Sequence, residues 1–119
     1  MMARQHKRVL EQLLREHAKA FFAQEAMRRA EQLGVTIHTI AVGNYRSQWG
    51  SCSRRGRLAF NWRLLLGPRW VAEYVVAHEV AHLVEHNHSR RYWAVVEQLY
   101  PDYKAARRWL RDHARELTF

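Results

Sequence analysis

The sequence predicts an α+β fold: a long N-terminal helix, a small three-stranded and mainly antiparallel sheet, a buried helix, and two further helices at the C-terminus. Three observations lead there. Apolar residues recur at three- and four-residue spacing at both ends of the chain, which is the helical period. Between them lies a segment rich in β-branched residues and broken by short glycine-containing turns, as strands are. The 119 residues leave room for one modest core, so all elements belong to a single domain, 1–119.

In the first segment, 1–34, Val9, Leu10, Leu13, Leu14, His17 and Phe21 recur with helical spacing, and Gly34 stands where a helix stops. One face of this helix is expected to be wet and the other to back the domain. The second segment, 35–66, reads as strands over 35–42, 45–51 and 57–62, with turns at Gly43-Asn44 and 53–56. In the third segment, 67–119, Gly67-Pro68 opens a helix that runs to about Glu85. Val71, Ala72, Val75, Val76, Val80, Leu83 and Val84 cover too wide an arc for a surface helix, so this one is expected at the centre. Ser89 can cap a third helix that Pro101 ends, and Asp102 can cap a fourth carrying Tyr103, Ala106, Trp109 and Leu110.

Composition narrows the class of protein. Hydrophobic residues at 48% and charged residues at 26% fit a folded globular chain and exclude a disordered or collagen-like one. No apolar run approaches the 18 or more residues of a membrane span, and no apolar signal core follows the basic N-terminus, so a cytoplasmic protein with no membrane partner is expected. The lone Cys52 excludes an intramolecular disulfide and a four-cysteine zinc site. A small buried thiol is its expected role. The net charge of +9 favours polyanionic or acidic partners.

Histidine is the informative residue. His78-Glu79-Val80-Ala81-His82 places two imidazoles four apart, one turn apart on one helix face, with a carboxylate beside them. Both rings can meet one zinc ion while Glu79 holds a water. Buried on an apolar helix, these groups would each be costly without a partner, and a metal supplies one for both rings. A catalytic zinc takes a third protein ligand. His88, six residues on and beyond the expected helix end, is the first candidate, with His86 and Glu85 as rivals.

The run HEVAHLVEHNHSRRYW (78–93), together with QWGSCS (48–53), NWRLLL (61–66) and PDYKAARRWL (101–110), resembles the YgjP-like metallopeptidase domain family, related to the SprT-like and WLM peptidases. The resemblance spans roughly residues 35–115 and implies a minimal zincin-like fold, a shorter form than most members. It implies a zinc-dependent peptidase with one Zn2+ per chain on His78, His82 and His88 and with Glu79 as catalytic base. Tyr92 stands where Phe is common in the family. A peptide or protein substrate follows.

Glu79 would take a proton from the attacking water and pass it to the leaving amine. The oxyanion then needs a donor, for which Arg46, Tyr74, Tyr92 and Tyr103 are candidates. In zincin folds an edge strand above the active helix pairs with extended substrate, which makes Gln48, Trp49, Gly50 and Ser51 candidate substrate-binding residues, with Gly50 allowing close backbone approach. The other tryptophans, Trp62, Trp70, Trp93 and Trp109, are expected in the core. Six arginines and no acid fall between Gln32 and Ala72, namely Arg46, Arg54, Arg55, Arg57, Arg63 and Arg69. This basic sheet segment opens an alternative in which the domain binds nucleic acid or a protein partner around a structural or inactive site.

Overall fold

The computed structural model describes residues 2–117. Helix α1 spans Met2–Leu33 and stops at Gly34, whose φ is +68°. Only its second half is buried, through Ala18, Phe21, Phe22, Ala26 and Ala30, with the buried pair Glu25 and Arg29 among them at 2.9 Å. Arg29 also donates to the carbonyl of Leu99, which ties α1 to the far end of the domain. The expected apolar stripe does not extend back along the helix. Val9, Leu10, Leu13 and His17 are exposed, Leu14 is half-buried, and burial begins at Ala18. At 1.5 Å per residue, 32 residues make a rod of roughly 48 Å, while the 13-residue central helix beneath it spans roughly 20 Å. The first turns therefore overhang the core.

The sheet holds β1 (Thr39–Gly43), β2 (Gly50–Cys52) and β3 (Arg57–Asn61) in the order β1-β3-β2. It is mixed, where a mainly antiparallel sheet was expected. β2 pairs antiparallel with β3 through a tight turn, whereas β1 pairs parallel with β3, Ala41 opposite Ala59. The reason lies in the 44–49 segment, which carries the chain past the end of β3 instead of turning back as a hairpin. Asn61, at the end of β3, fixes this crossing: its Nδ2 donates to the carbonyls of Tyr45 (2.8 Å) and Gln48 (3.2 Å), and its amide donates to Trp49 O (2.9 Å). Its Oδ1 accepts from the Arg63 amide and opens a 3-10 turn over Trp62–Leu66, so the third strand ends one residue before Trp62.

Helix α2 (Arg69–Ala81) is buried along nearly its whole length, as its apolar arc predicts, with Pro68 at its N-cap. It ends at Ala81, one turn before Glu85, and leaves Val84 exposed. Ser89 caps α3 (Arg90–Leu99), its Oγ accepting from the Tyr92 amide at 3.3 Å. Asp102 precedes α4 (Tyr103–His113), although its side chain makes no capping bond. One core draws on all these elements: Phe22 of α1 stacks on Phe60 of β3 at 4.8 Å, and Val76 and Val80 of α2, Val96 of α3 and Ala106 of α4 close around them. Trp62 is fully buried, Trp93 and Trp109 partly so, and Trp70 is exposed, contrary to its expected place in the core. No helix among the described residues is long and apolar enough to cross a membrane.

Candidate metal centre and cleft

The early end of α2 shapes the site. The His82 amide donates to Glu79 O in a tightened last turn, and the His78 carbonyl accepts instead from the Tyr92 hydroxyl of α3 at 2.8 Å. The chain then turns through 82–89 and brings His88 back against the helix. His78, His82 and His88 each present a ring nitrogen, and the three nitrogens lie within 4.8 Å of one another. His82 Nε2 and His88 Nε2 are 3.1 Å apart, close to the roughly 3.3 Å between two nitrogens of a tetrahedral zinc site. Neither rival for the third position joins this group. Glu85 contributes its backbone carbonyl, which accepts from His82 Nδ1–H at 3.1 Å.

That bond fixes the tautomer, because a carbonyl only accepts. The proton sits on Nδ1 and the lone pair of His82 Nε2 faces His88. A ring nitrogen facing another at this distance calls for a cation or a shared proton between them. His78 Nδ1 is similarly engaged with the Tyr74 hydroxyl at 3.1 Å, which leaves Nε2 as its free nitrogen. Tyr92 stacks on the His82 ring at 4.3 Å, and Trp93 stacks against His88. Burial pushes the His78 pKa down to about 3, helped by the neighbouring His82, His88 and Arg107, and burial also lowers that of His82. Both rings are neutral at physiological pH, the form that binds a metal. Three converging imidazoles fit a divalent zinc ion.

Glu79, next to His78 in the chain, is buried. Burial raises its pKa to about 7. It borders a cleft of about 200 Å³ with Trp49, Gly50, Tyr74, His78 and Leu110. Gly50 belongs to β2, an edge strand, and its backbone comes so near Glu79 that a β-carbon there would stand 2.9 Å from Glu79 Cγ. The space beside Gly50 is thus taken by the Glu79 side chain.

Of the residues singled out on the second strand, Trp49 and Gly50 line this cleft, whereas Gln48 and Ser51 do not. Tyr74 is the one oxyanion candidate that does. The Tyr92 hydroxyl is committed to His78 O, Tyr103 is buried and stacked on Trp93 at 5.4 Å, and Arg46 lines a different pocket. Cys52 lies outside the imidazole cluster, half-buried, with its thiol pKa raised to about 11 by burial. Sequence reasoning passed over Leu110 as a cleft wall, Arg107 above the Trp93 ring at 4.4 Å, and the clamp formed by Asn61. Only the Asn61 position, within NWRLLL, carried a local signal, since an asparagine at a strand end suits a cap.

Residues 2–113 match the family described as YgjP-like, metallopeptidase domain. Among solved structures, the metallopeptidase zymogen of Pyrococcus abyssi abylysin shares the fold, with a TM-score of 0.65 and 19% identity over 79% of this chain and 93% of that one. Curated proteins offer no match.

Proposed function

The chain belongs to the YgjP-like metallopeptidase domain family, and from that premise we propose that it is a zinc peptidase whose metal is held by His78, His82 and His88 and whose general base is Glu79. The observation that carries this reading is the convergence of three oriented imidazoles beside a buried, unpaired carboxylate at the mouth of a cleft. A zinc ion held by these rings supplies Lewis acidity, polarising a carbonyl and making a water acidic near neutral pH.

The rest is done by the chain's own groups. Glu79, its carboxyl poised near neutrality, takes the proton of the attacking water and returns it to the leaving amine. Tyr74 accepts from His78 Nδ1–H, which leaves its own hydroxyl hydrogen free to point at the developing oxyanion. Its pKa, raised to about 12 mainly by burial, keeps that hydrogen in place. An extended peptide lies along the outer edge of β2 and adds to the sheet, as edge strands commonly allow, with Trp49 and Leu110 as apolar walls.

Metal analysis and a protease assay on the wild type and Glu79→Gln test the proposal. About one zinc per chain is expected in both, and loss of general-base catalysis is expected to lower turnover by roughly 10²–10⁴ in the variant. Wild-type turnover in a zinc-loaded Glu79→Gln protein would remove Glu79 from the mechanism. Failure of His82→Ala to reduce bound zinc would remove the site.

A further inference from the structure

A second pocket shares Trp49 with the cleft as a wall. It measures about 150 Å³, and Arg46, Ser47, Gln48 and Arg63 line it as well. Arg63 Nε is buried without a hydrogen-bond partner among the described residues. Neither Arg46 nor Arg63 forms an ion pair among the described residues, and the chain has no Asp or Glu between Gln32 and Ala72 to provide one. Nε itself is enclosed by the fold, but no acceptor among the described residues engages the outer nitrogens of Arg63 or Arg46, so both guanidinium groups are open to an anion from outside.

Its chemistry can be read from the lining. Two guanidinium groups with no opposing carboxylate select an anion, and the planar fork of arginine matches a carboxylate in bidentate fashion. The pocket is large enough for a carboxylate on a short side chain. The pocket is also held in shape before anything binds, because Asn61 fixes both Tyr45 and Gln48 through their carbonyls. Trp49 lines both the pocket and the cleft and precedes Gly50, which abuts Glu79, so the pocket adjoins the cleft along the start of β2.

We infer that this pocket is a carboxylate subsite of the cleft, taking an acidic side chain or the C-terminal carboxylate of a peptide laid along β2. The inference rests on the proposed peptidase site and names what that site selects.

Three labelled peptides of common sequence test it: one with a single acidic side chain and an amidated end, one neutral with a free C-terminal carboxylate, and one neutral and amidated. Binding, by fluorescence anisotropy, and cleavage are both measured for the zinc-loaded wild type, Arg46→Gln, Arg63→Gln and Arg63→Lys. One of the carboxylate-bearing peptides is expected to be favoured over the neutral amidated one by about tenfold or more, as a charge-assisted pair supplies, and which one is favoured identifies the source. Arg46→Gln and Arg63→Gln are expected to abolish the preference, and Arg63→Lys to restore part of it. Arg46 is exposed, so its variant keeps the test valid if Arg63→Gln does not fold. Equal binding of all three peptides by the wild type, or a preference that survives Arg46→Gln, overturns the subsite. Inorganic phosphate that displaces the favoured peptide at concentrations far below free acetate would overturn the carboxylate assignment in favour of a phosphate site. Cleavage without preference sinks the subsite and leaves the peptidase; preference in binding with no cleavage of any peptide does the reverse.

Discussion

Gly50 and Glu79 are in mutual contact across the cleft: a β-carbon on Gly50 would stand 2.9 Å from Glu79 Cγ and 3.0 Å from Glu79 Oε2. The edge strand and the proposed base therefore fix each other's position. Gly50→Ala forces one of them to move, and Val75 Cγ1 at 3.1 Å closes the remaining space. Overpacking of this kind costs about 1–3 kcal/mol of stability. A displacement of Glu79 near 1 Å is expected to lower turnover by roughly 10²-fold, with bound zinc unchanged. Steady-state kinetics beside metal analysis checks this, and unaltered kcat in a folded Gly50→Ala protein would show that the contact does not position the base.

Glu79 also gives metal-free protein a defined pH dependence. Its pKa is about 7 in the fold against 4.5 ordinarily, so the folded state binds more protons than the unfolded state between those values. This contribution to stability is present below pH 4.5 and is lost as pH rises through 7. By pH 8 the buried carboxylate is expected to cost about 3 kcal/mol. Glu79→Gln removes the penalty. Denaturant unfolding of metal-free protein should show the variant gaining on the wild type as pH rises from 4.5 to 8, and His78, common to both, cancels from the comparison. A constant difference across that range would mean the carboxylate is solvated.

Tyr92 joins α3 to the metal-binding helix twice, through its ring beneath His82 and its hydroxyl on His78 O. Tyr92→Phe keeps the stacked ring and leaves a buried carbonyl without its partner, which costs about 1–3 kcal/mol. Tyr92→Ala also empties a fully buried space and is expected to cost about 3–5 kcal/mol. Zinc affinity should fall modestly in the first and sharply in the second, measured by competition with a chelating dye. Equal losses in both would assign the whole effect to the hydroxyl.

Asn61 holds the crossing segment that carries Trp49 and Gly50 to the cleft. Asn61→Ala strips two carbonyls of their side-chain donor and one amide of its acceptor, and a loss of about 2–4 kcal/mol is expected if each bond contributes about 1 kcal/mol. Because the cleft wall is loosened while the imidazoles are untouched, KM is expected to rise more than kcat falls, with zinc content unchanged. A fall in zinc content instead would show that the two sides of the site are coupled through the core.

Local features were legible in advance because neighbouring residues settle them. The Ser89 cap lies three residues from the amide it accepts, and the four-residue spacing of His78 and His82 puts both rings on one face of whichever helix forms. The apolar arc of α2 likewise gave its burial. His88 was placed as first candidate because a turn after the helix can return the chain, and its nitrogen does stand 3.1 Å from that of His82.

What the sequence by itself determined, then, is the run of helices around a strand-bearing middle segment, the central position of α2, and the face that His78 and His82 share. These follow from periods of two and 3.6 residues and from caps, all of which act over a few positions. Only the tertiary structure decided the parallel pairing of β1 with β3, the exposed first half of α1, the early end of α2, the approach of Leu110 to the cleft, and that of Arg107 to the Trp93 ring. Each depends on residues far apart in the chain: Asn61 gripping a loop sixteen positions upstream, a core shorter than the helix lying on it, Tyr92 accepting the task of satisfying His78 O. Such contacts form only when the whole core closes, and no local pattern encodes them.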